Sequence, residues 1–286
     1  MQMKKIVHIE RSTEPHWVGD GFLVNSLMSY QTRGPDMSPF LLLDYASPAE
    51  FAPSERPRGV GQHPHRGFET VTIVYQGEIE HKDNAGNSGK IGPGDVQWMT
   101  AARGILHEEF HGQDFSKKGG TLEMVQLWIN LPAKFKMSKP HYQEIVSACI
   151  PLVKLDSHGS ILRVIAGNYA DTHGMAKTFT PVNLWDLRIK MGCKIDDVHV
   201  ARGFNTMLLV LKGTVLVNNI TSVKEKELVF FEREGDYMSL ESVSDSMILI
   251  LNGEPIHEPI VGQGPFVMNT KDEIRQAFMD YRNGHF

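Results

Sequence analysis

Apolar and polar positions along this chain alternate in short runs. Glu69–Tyr75 (ETVTIVY) sets Val71, Ile73 and Tyr75 on one face and Thr70 and Thr72 on the other, and Gly77 closes the run. A period of two is the spacing of a β-strand. Val96–Thr100, Ile105–His111 and Leu122–Leu131 read the same way, the last with Val125, Leu127, Ile129 and Leu131 in step. Turn-forming clusters, Asn84-Ala85-Gly86-Asn87 and Gly92-Pro93-Gly94-Asp95, separate them. The pattern predicts an all-β protein, a sandwich or barrel. No long helix is expected until near the end. There Thr270-Lys271-Asp272-Glu273 has the form of a capping box, Ile274, Ala277, Phe278 and Tyr281 are expected to face inward, and Asn283-Gly284 stop the helix.

The pattern also repeats. His63–Gly77 (HPHRGFETVTIVYQG) and His199–Gly213 (HVARGFNTMLLVLKG) match at seven of fifteen ungapped positions, including Arg66-Gly67-Phe68 against Arg202-Gly203-Phe204. An offset of 136 residues, close to half of 286, points to one β-unit used twice. The copies are unequal, because Ala201 and Asn205 stand in the second where His65 and Glu69 stand in the first. The junction is expected within 132–151, which contains Pro132, Pro140 and Pro151 beside Lys134, Lys136 and Lys139; those lysines read as a solvated linker. The chain is therefore divided into residues 1–140 and 141–286.

Composition narrows the class. Of 286 residues, 41% are hydrophobic and 22% charged, enough to build a core. A net charge of −5, with no helix-turn-helix pattern or basic domain, argues against direct nucleic-acid binding. Cys149 and Cys193 are too few for a disulfide framework or a cysteine-based zinc site, and replacing both by Ser is expected to leave any activity intact. The opening MQMKKIVHIERS lacks the apolar run of a signal peptide, and no run of about 18 apolar residues occurs, so a cytoplasmic protein without membrane spans is expected.

The histidines carry the chemistry. Residues i and i+2 of a strand face the same way, which pairs His63 with His65, and His107 with Glu109. Were those two strands to face one another, three imidazoles and a carboxylate would converge, a donor set suited to a borderline divalent metal with positions left open. The remaining histidines, among them His8, His16, His158, His173, His257 and His285, read as surface or capping residues. Phe68, Trp98, Met99 and Phe110 lie near these motifs as candidate lining of a flat aromatic pocket, each also fitting an ordinary core position.

The run His63-Pro64-His65-Arg66-Gly67-Phe68-Glu69-Thr70, then Pro93–Ala101 (PGDVQWMTA) and Gly104-Ile105-Leu106-His107, resembles the signature blocks of the pirin family. The likeness continues through Gln126–Pro132 (QLWINLP), Pro140-His141-Tyr142-Gln143 and Asp280-Tyr281-Arg282. It implies two tandem cupin (jelly-roll) domains with a short C-terminal helix, the first domain metal-binding and the second metal-free. It further implies metal ligands His63, His65, His107 and Glu109, with iron(II) the first expectation and nickel, copper, manganese or zinc the alternatives. Glu69, at the usual cupin carboxylate position, is expected outside the ligand set, and His111 is a minor alternative ligand.

The resemblance also implies activity. Several pirins resemble quercetin 2,3-dioxygenases, which cleave flavonols with O2, and Glu109 is then the candidate catalytic base. A second reading is a metal- or redox-dependent regulator that acts through protein partners without turnover. A third, a cupin isomerase on a polar metabolite, would use Arg66 and Arg103 as anchors, although the recurrence of Arg66 as Arg202 favours a structural role for it.

Overall fold

The computed structural model describes residues 1–11 and 14–286. The chain forms two compact β-units, both discontinuous in sequence. The histidine-bearing unit comprises Thr13–Pro35, Phe40–Ser147 and Ile256–Phe286. The second unit comprises Met1–Ser12, Asp36–Pro39 and Ala148–Pro255. A single cut at 140/141 therefore does not describe the division: the chain crosses between units at Ser147/Ala148, and its two ends are exchanged.

Among the described residues each unit has a four-stranded and a seven-stranded antiparallel sheet and a two-stranded hairpin, Val261–Gln263 with Phe266–Met268 in the histidine-bearing unit and Asn168–Tyr169 with Thr172–His173 in the second. In the histidine-bearing unit the small sheet runs Gly59–His65, Ile105–His111, Ile79–Asp83, Ser88–Ile91. The large one runs His141–Ile145, Val96–Thr100, Phe68–Gln76, Gly120–Asn130, Phe40–Phe51, Phe22–Ser29, His16–Val18. The second unit repeats this order. Its small sheet runs Lys194–His199, Tyr237–Ser242, Thr214–Val217, Thr221–Lys224. Its large sheet places Asn205–Lys212 between Leu228–Phe231 and Ser246–Gly253, as Phe68–Gln76 lies between Val96–Thr100 and Gly120–Asn130. The sequence repeat is thus a repeat of topology, with two jelly-roll units. The edge strand beyond Leu228–Phe231 is Ile6–Glu10, from the beginning of the chain.

The strands expected from alternation are present as Phe68–Gln76, Val96–Thr100, Ile105–His111 and Gly120–Asn130. Phe68–Tyr75 is buried on both faces, however, so its polar side looks inward rather than to water. The helix spans Lys271–Arg282. Thr270 Oγ1 accepts from the Glu273 amide while the Glu273 carboxylate accepts from the Thr270 amide, completing the capping box. Ile274 and Ala277 are buried, but Tyr281 is 41% exposed, which corrects its assignment to the inner face.

The two interiors differ. The second unit is filled by one apolar cluster drawn from both of its sheets, including Val198, Val200, Val215, Met238, Leu240 and Trp185. In the histidine-bearing unit the buried apolar residues fall in several groups, among them one around Phe22, Val24, Val74 and Met124 and another around Met99, Ala101 and Ile105. Polar side chains occupy inward positions of the small sheet: His63, His65, His107, Glu109, His81 and Asp83.

Candidate metal centre

Antiparallel pairing of Gly59–His65 with Ile105–His111 sets His63 directly opposite His107, and His65 opposite Ile105. The strand period then directs His63, His65 and His107 to one point. Their ring centroids lie 4.8 Å (His63–His65), 4.3 Å (His63–His107) and 5.0 Å (His65–His107) apart. One ring nitrogen from each falls within 4.8 Å of the other two. Among the described residues this is the cluster of three or more such side chains able to hold a metal ion.

The electrostatics keep these rings neutral. Burial lowers the pKa of His63, and pushes those of His65 and His107 well below the usual imidazole value, with neighbouring imidazoles adding to the effect. His63 Nδ1 lies 2.9 Å from the Gly61 carbonyl. That contact makes Nδ1 the donor and leaves Nε2 with a lone pair. His65 Nδ1 and both nitrogens of His107 are buried without a hydrogen-bond partner. Orphaned buried nitrogens cost about 1–3 kcal/mol each, and a cation accepting one lone pair from each ring removes that cost at the ligating nitrogens, leaving the His107 N–H without a partner. The residues present therefore fit a metal.

Glu109 is 8% exposed and lines the same cavity as His63 and His65, although its carboxylate is not part of the three-histidine cluster. It accepts a long hydrogen bond from Thr72 Oγ1 at 3.5 Å, and burial raises its pKa to about 7. Thr72 Oγ1 lies 2.7 Å from Gln126 Oε1. The cavity encloses about 180 Å³. Val18, Phe22, Val24, Val60, Met124 and Trp128 form its apolar wall, and Asp44 and Gln126 join Glu109 as its polar part.

The other sequence candidates fall elsewhere. Glu69 lies on the Val71 and Ile73 side of its strand, where it accepts from Thr100 Oγ1 at 2.7 Å. His111 Nε2 is 2.7 Å from the Gly21 carbonyl, and its ring is boxed by Phe22, Phe51 and Phe115, so it serves the core. None of Phe68, Trp98, Met99 and Phe110 lines the cavity. Phe68 instead stacks on Trp128, centroids 4.3 Å apart, behind His65. Met99 packs with Ala101 and Ile105, and Phe110 lines a separate depression of about 570 Å³. Of the lining residues missed, Met124, Gln126 and Trp128 occupy the alternate face of a strand read by Val125, Leu127 and Ile129, and Val18, Phe22, Val24, Asp44 and Val60 come from segments not singled out. The signal for the first three was the same period of two, followed on its other phase.

Arg66 is buried against Asp280, while Arg103 is exposed and outside the cavity. Neither anchors a ligand beside the imidazoles. His8, His16, His158, His173, His257 and His285 are all exposed, as their sequence context implied. Both cysteines are free. No helix among the described residues is long and apolar enough to cross a membrane.

Comparison with known proteins agrees with this architecture. The pirin family profile matches residues 21–129, and that of the pirin C-terminal cupin domain matches residues 184–286. A crystal structure of quercetin 2,3-dioxygenase from Acinetobacter baumannii superposes with a TM-score of 0.97 at 52% identity, covering 99% of this chain and 98% of that one. A Pseudomonas aeruginosa relative that carries a provisional quercetin 2,3-dioxygenase name is 52% identical over 284 residues, 99% of each chain. An Escherichia coli pirin in complex with nickel(II) shares the fold at 20% identity, with a TM-score of 0.64 over 87% of this chain and 99% of that one. With both halves matched and the jelly-roll pair in place, the chain belongs to the pirin family.

Proposed function

We propose that this cavity is the active site of a metal-dependent dioxygenase of the quercetin 2,3-dioxygenase type, with one divalent metal held by His63, His65, His107 and Glu109. The observation that carries the reading is three neutral imidazoles converging on one point, His63 half-buried and His65 and His107 buried, where His63, His65 and Glu109 line a mostly apolar cavity and nitrogens of His65 and His107 have no protein partner. Iron(II) is the first candidate, and nickel(II), present in the E. coli pirin structure, the second. Imidazole and carboxylate donors accept both.

The metal would supply a Lewis-acidic contact for a flavonol 3-oxygen beside dioxygen. The overall reaction incorporates both atoms of O2, opens the central ring and releases carbon monoxide. The chain's own groups bind and orient. The wall formed by Phe22, Val24, Val60, Met124 and Trp128 holds a flat ring system and keeps water away. A carboxylate oxygen of Glu109 accepts the proton of the 3-hydroxyl, its single long bond from Thr72 leaving it free to do so. At about 180 Å³ the cavity is smaller than the roughly 300–1,000 Å³ that encloses a whole drug-sized ligand. The fused rings therefore enter and the pendant ring stays at the mouth.

The test is oxygen uptake with quercetin by protein loaded with Fe(II) or Ni(II), beside His107→Ala and Glu109→Gln prepared identically. Uptake by the wild type is expected, with metal content in His107→Ala well below one per chain and uptake by Glu109→Gln reduced about 10²–10⁴-fold. A fully loaded wild type that consumes no oxygen would remove the dioxygenase reading, and full metal occupancy in His107→Ala would remove that residue from the ligand set.

A further inference from the structure

The repeated Arg-Gly-Phe turn has different surroundings in its two copies, so one serves as a control for the other. In the second unit Arg202 is exposed and pairs with the equally exposed Glu234. Open space surrounds the position a Cβ would take at Gly203. In the histidine-bearing unit Arg66, the residue after His65, is 3% exposed. Its Nη1 donates to Asp280 Oδ2 at 2.7 Å, and its guanidinium lies 4.4 Å from the centroid of the Phe286 ring. Arg66 is also bonded through its backbone to the hairpin that precedes the helix: its amide donates to the Pro265 carbonyl, and its carbonyl accepts from the Val267 amide at 3.0 Å. A Cβ at Gly67 would collide with the Val267 carbonyl.

The same tail reaches the other histidine strand. A main-chain oxygen of Phe286 accepts from Asn84 Nδ2 at 2.7 Å. Asn84 in turn brackets Leu106, the residue before His107: its Oδ1 accepts from the Leu106 amide at 3.1 Å, and its amide donates to the Leu106 carbonyl at 2.9 Å. Gly104, at the head of that strand, has the Phe286 ring 3.0–3.1 Å from where a Cβ would stand. Phe286 is therefore one contact away from the neighbour of His65 and two from the neighbour of His107. The tail is also held locally, because Asp280 accepts from Gln276 Nε2 at 2.7 Å and its carbonyl accepts from the His285 amide at 2.9 Å.

We propose that Asp280 and Phe286 are positioning residues for the metal centre: by clamping Arg66 on one ligand strand and the Asn84–Leu106 bracket on the other, they set the spacing of His65 and His107. The proposal rests on the metal-site reading above. Neither residue touches the cavity; each acts through the strand ends. Outer contacts that orient metal-ligating histidines are worth about 10–100-fold in metal affinity, because a donor set held in place does not have to be assembled by the ion.

The experiment measures Ni(II) affinity by chelator competition, and the visible spectrum of the Co(II) form, for the full chain carrying Phe286→Ala, Asp280→Asn or Phe286→Tyr. Arg202→Ala and His107→Ala serve as controls. Phe286→Ala and Asp280→Asn are expected to bind Ni(II) about 10–100-fold more weakly, with an altered Co(II) spectrum. Phe286→Tyr, which keeps the ring, and Arg202→Ala, on the unclamped copy, are expected to match the wild type. Wild-type affinity and spectrum in both Phe286→Ala and Asp280→Asn, with binding lost only in His107→Ala, would overturn the positioning role and leave the metal site standing. So would variants that melt earlier without any change in affinity or spectrum. If His107→Ala bound Ni(II) as tightly as the wild type, the metal-site reading itself would fall, and this proposal with it.

Discussion

Glu69 shows what a buried carboxyl does when burial outweighs the hydrogen bonds it accepts. Burial pushes its pKa from an ordinary 4.5 up to about 7, and the Thr100 hydroxyl opposes the shift only in part. Between those two values the folded chain holds a proton that the unfolded chain has released. Stability from this group is therefore present below about pH 4.5 and lost as the pH rises through about 7. Glu69→Gln keeps an acceptor for Thr100 and removes the charge. Urea unfolding of the metal-free protein should find the variant close to wild type at pH 4.5 and more stable at pH 8 by about 2–3 kcal/mol. An equal difference at both pH values would mean that Glu69 does not titrate on folding. Sequence alone marked Glu69 as the carboxylate of a general cupin pattern. Its placement outside the histidine cluster is a matter of strand phase: it lies on the face opposite Thr72, the residue that bonds Glu109.

At the scale of elements, strand existence and bounds were legible because period two is a local property. Ile105–His111 and Val96–Thr100 coincide with the observed strands to the residue. Which face meets water was not legible. Alternation put Thr70 and Thr72 on one face without saying what that face meets; both are buried, and Thr72 lies against Glu109 and Gln126 in the interior. The lysine-rich stretch read as a solvated linker is corrected at Lys136. Lys136 is 1% exposed, and its ammonium donates to the Gly67 carbonyl (2.6 Å), Asn130 Oδ1 (2.6 Å) and the Val267 carbonyl (2.9 Å). Three acceptors around one Nζ satisfy all of its donors, even though burial lowers its pKa to about 7. No local pattern announces this, since the partners are 6, 69 and 131 residues away. Lys136→Met preserves length and apolar stem but strands those oxygens in the interior. It should cost about 3 kcal/mol in chemical denaturation. A loss under about 0.5 kcal/mol, the level of an ordinary surface substitution, would show that the contacts contribute nothing to stability.

For the whole molecule, the duplication was legible from fifteen aligned positions, and the strand order repeats it. The exchange of chain ends was not, because the edge pairing of Ile6–Glu10 with Leu228–Phe231 joins segments more than 200 residues apart. Nor was the fate of His199, which matches His63 in sequence. In the second unit it is Val198 that pairs with Met238 inside the apolar cluster, and His199 turns outward to an exposed Asp197. A shift of one residue exchanges the faces of a strand. The shared histidine therefore has no shared role, and the space filled by imidazoles in one unit is filled by Val198, Val200, Met238 and Leu240 in the other. Restoring the missing HxH by Ala201→His does not restore a site, since the neighbouring histidine still faces solvent and the facing strand still offers Met238 and Leu240. Metal analysis of Ala201→His after loading and gel filtration should return the same metal-to-chain ratio as the wild type, with His107→Ala lowering both alike. An added equivalent that survives in the Ala201→His/His107→Ala double variant would show that the second interior can open to accept an ion, and that its apolar packing is not what separates the two units in function.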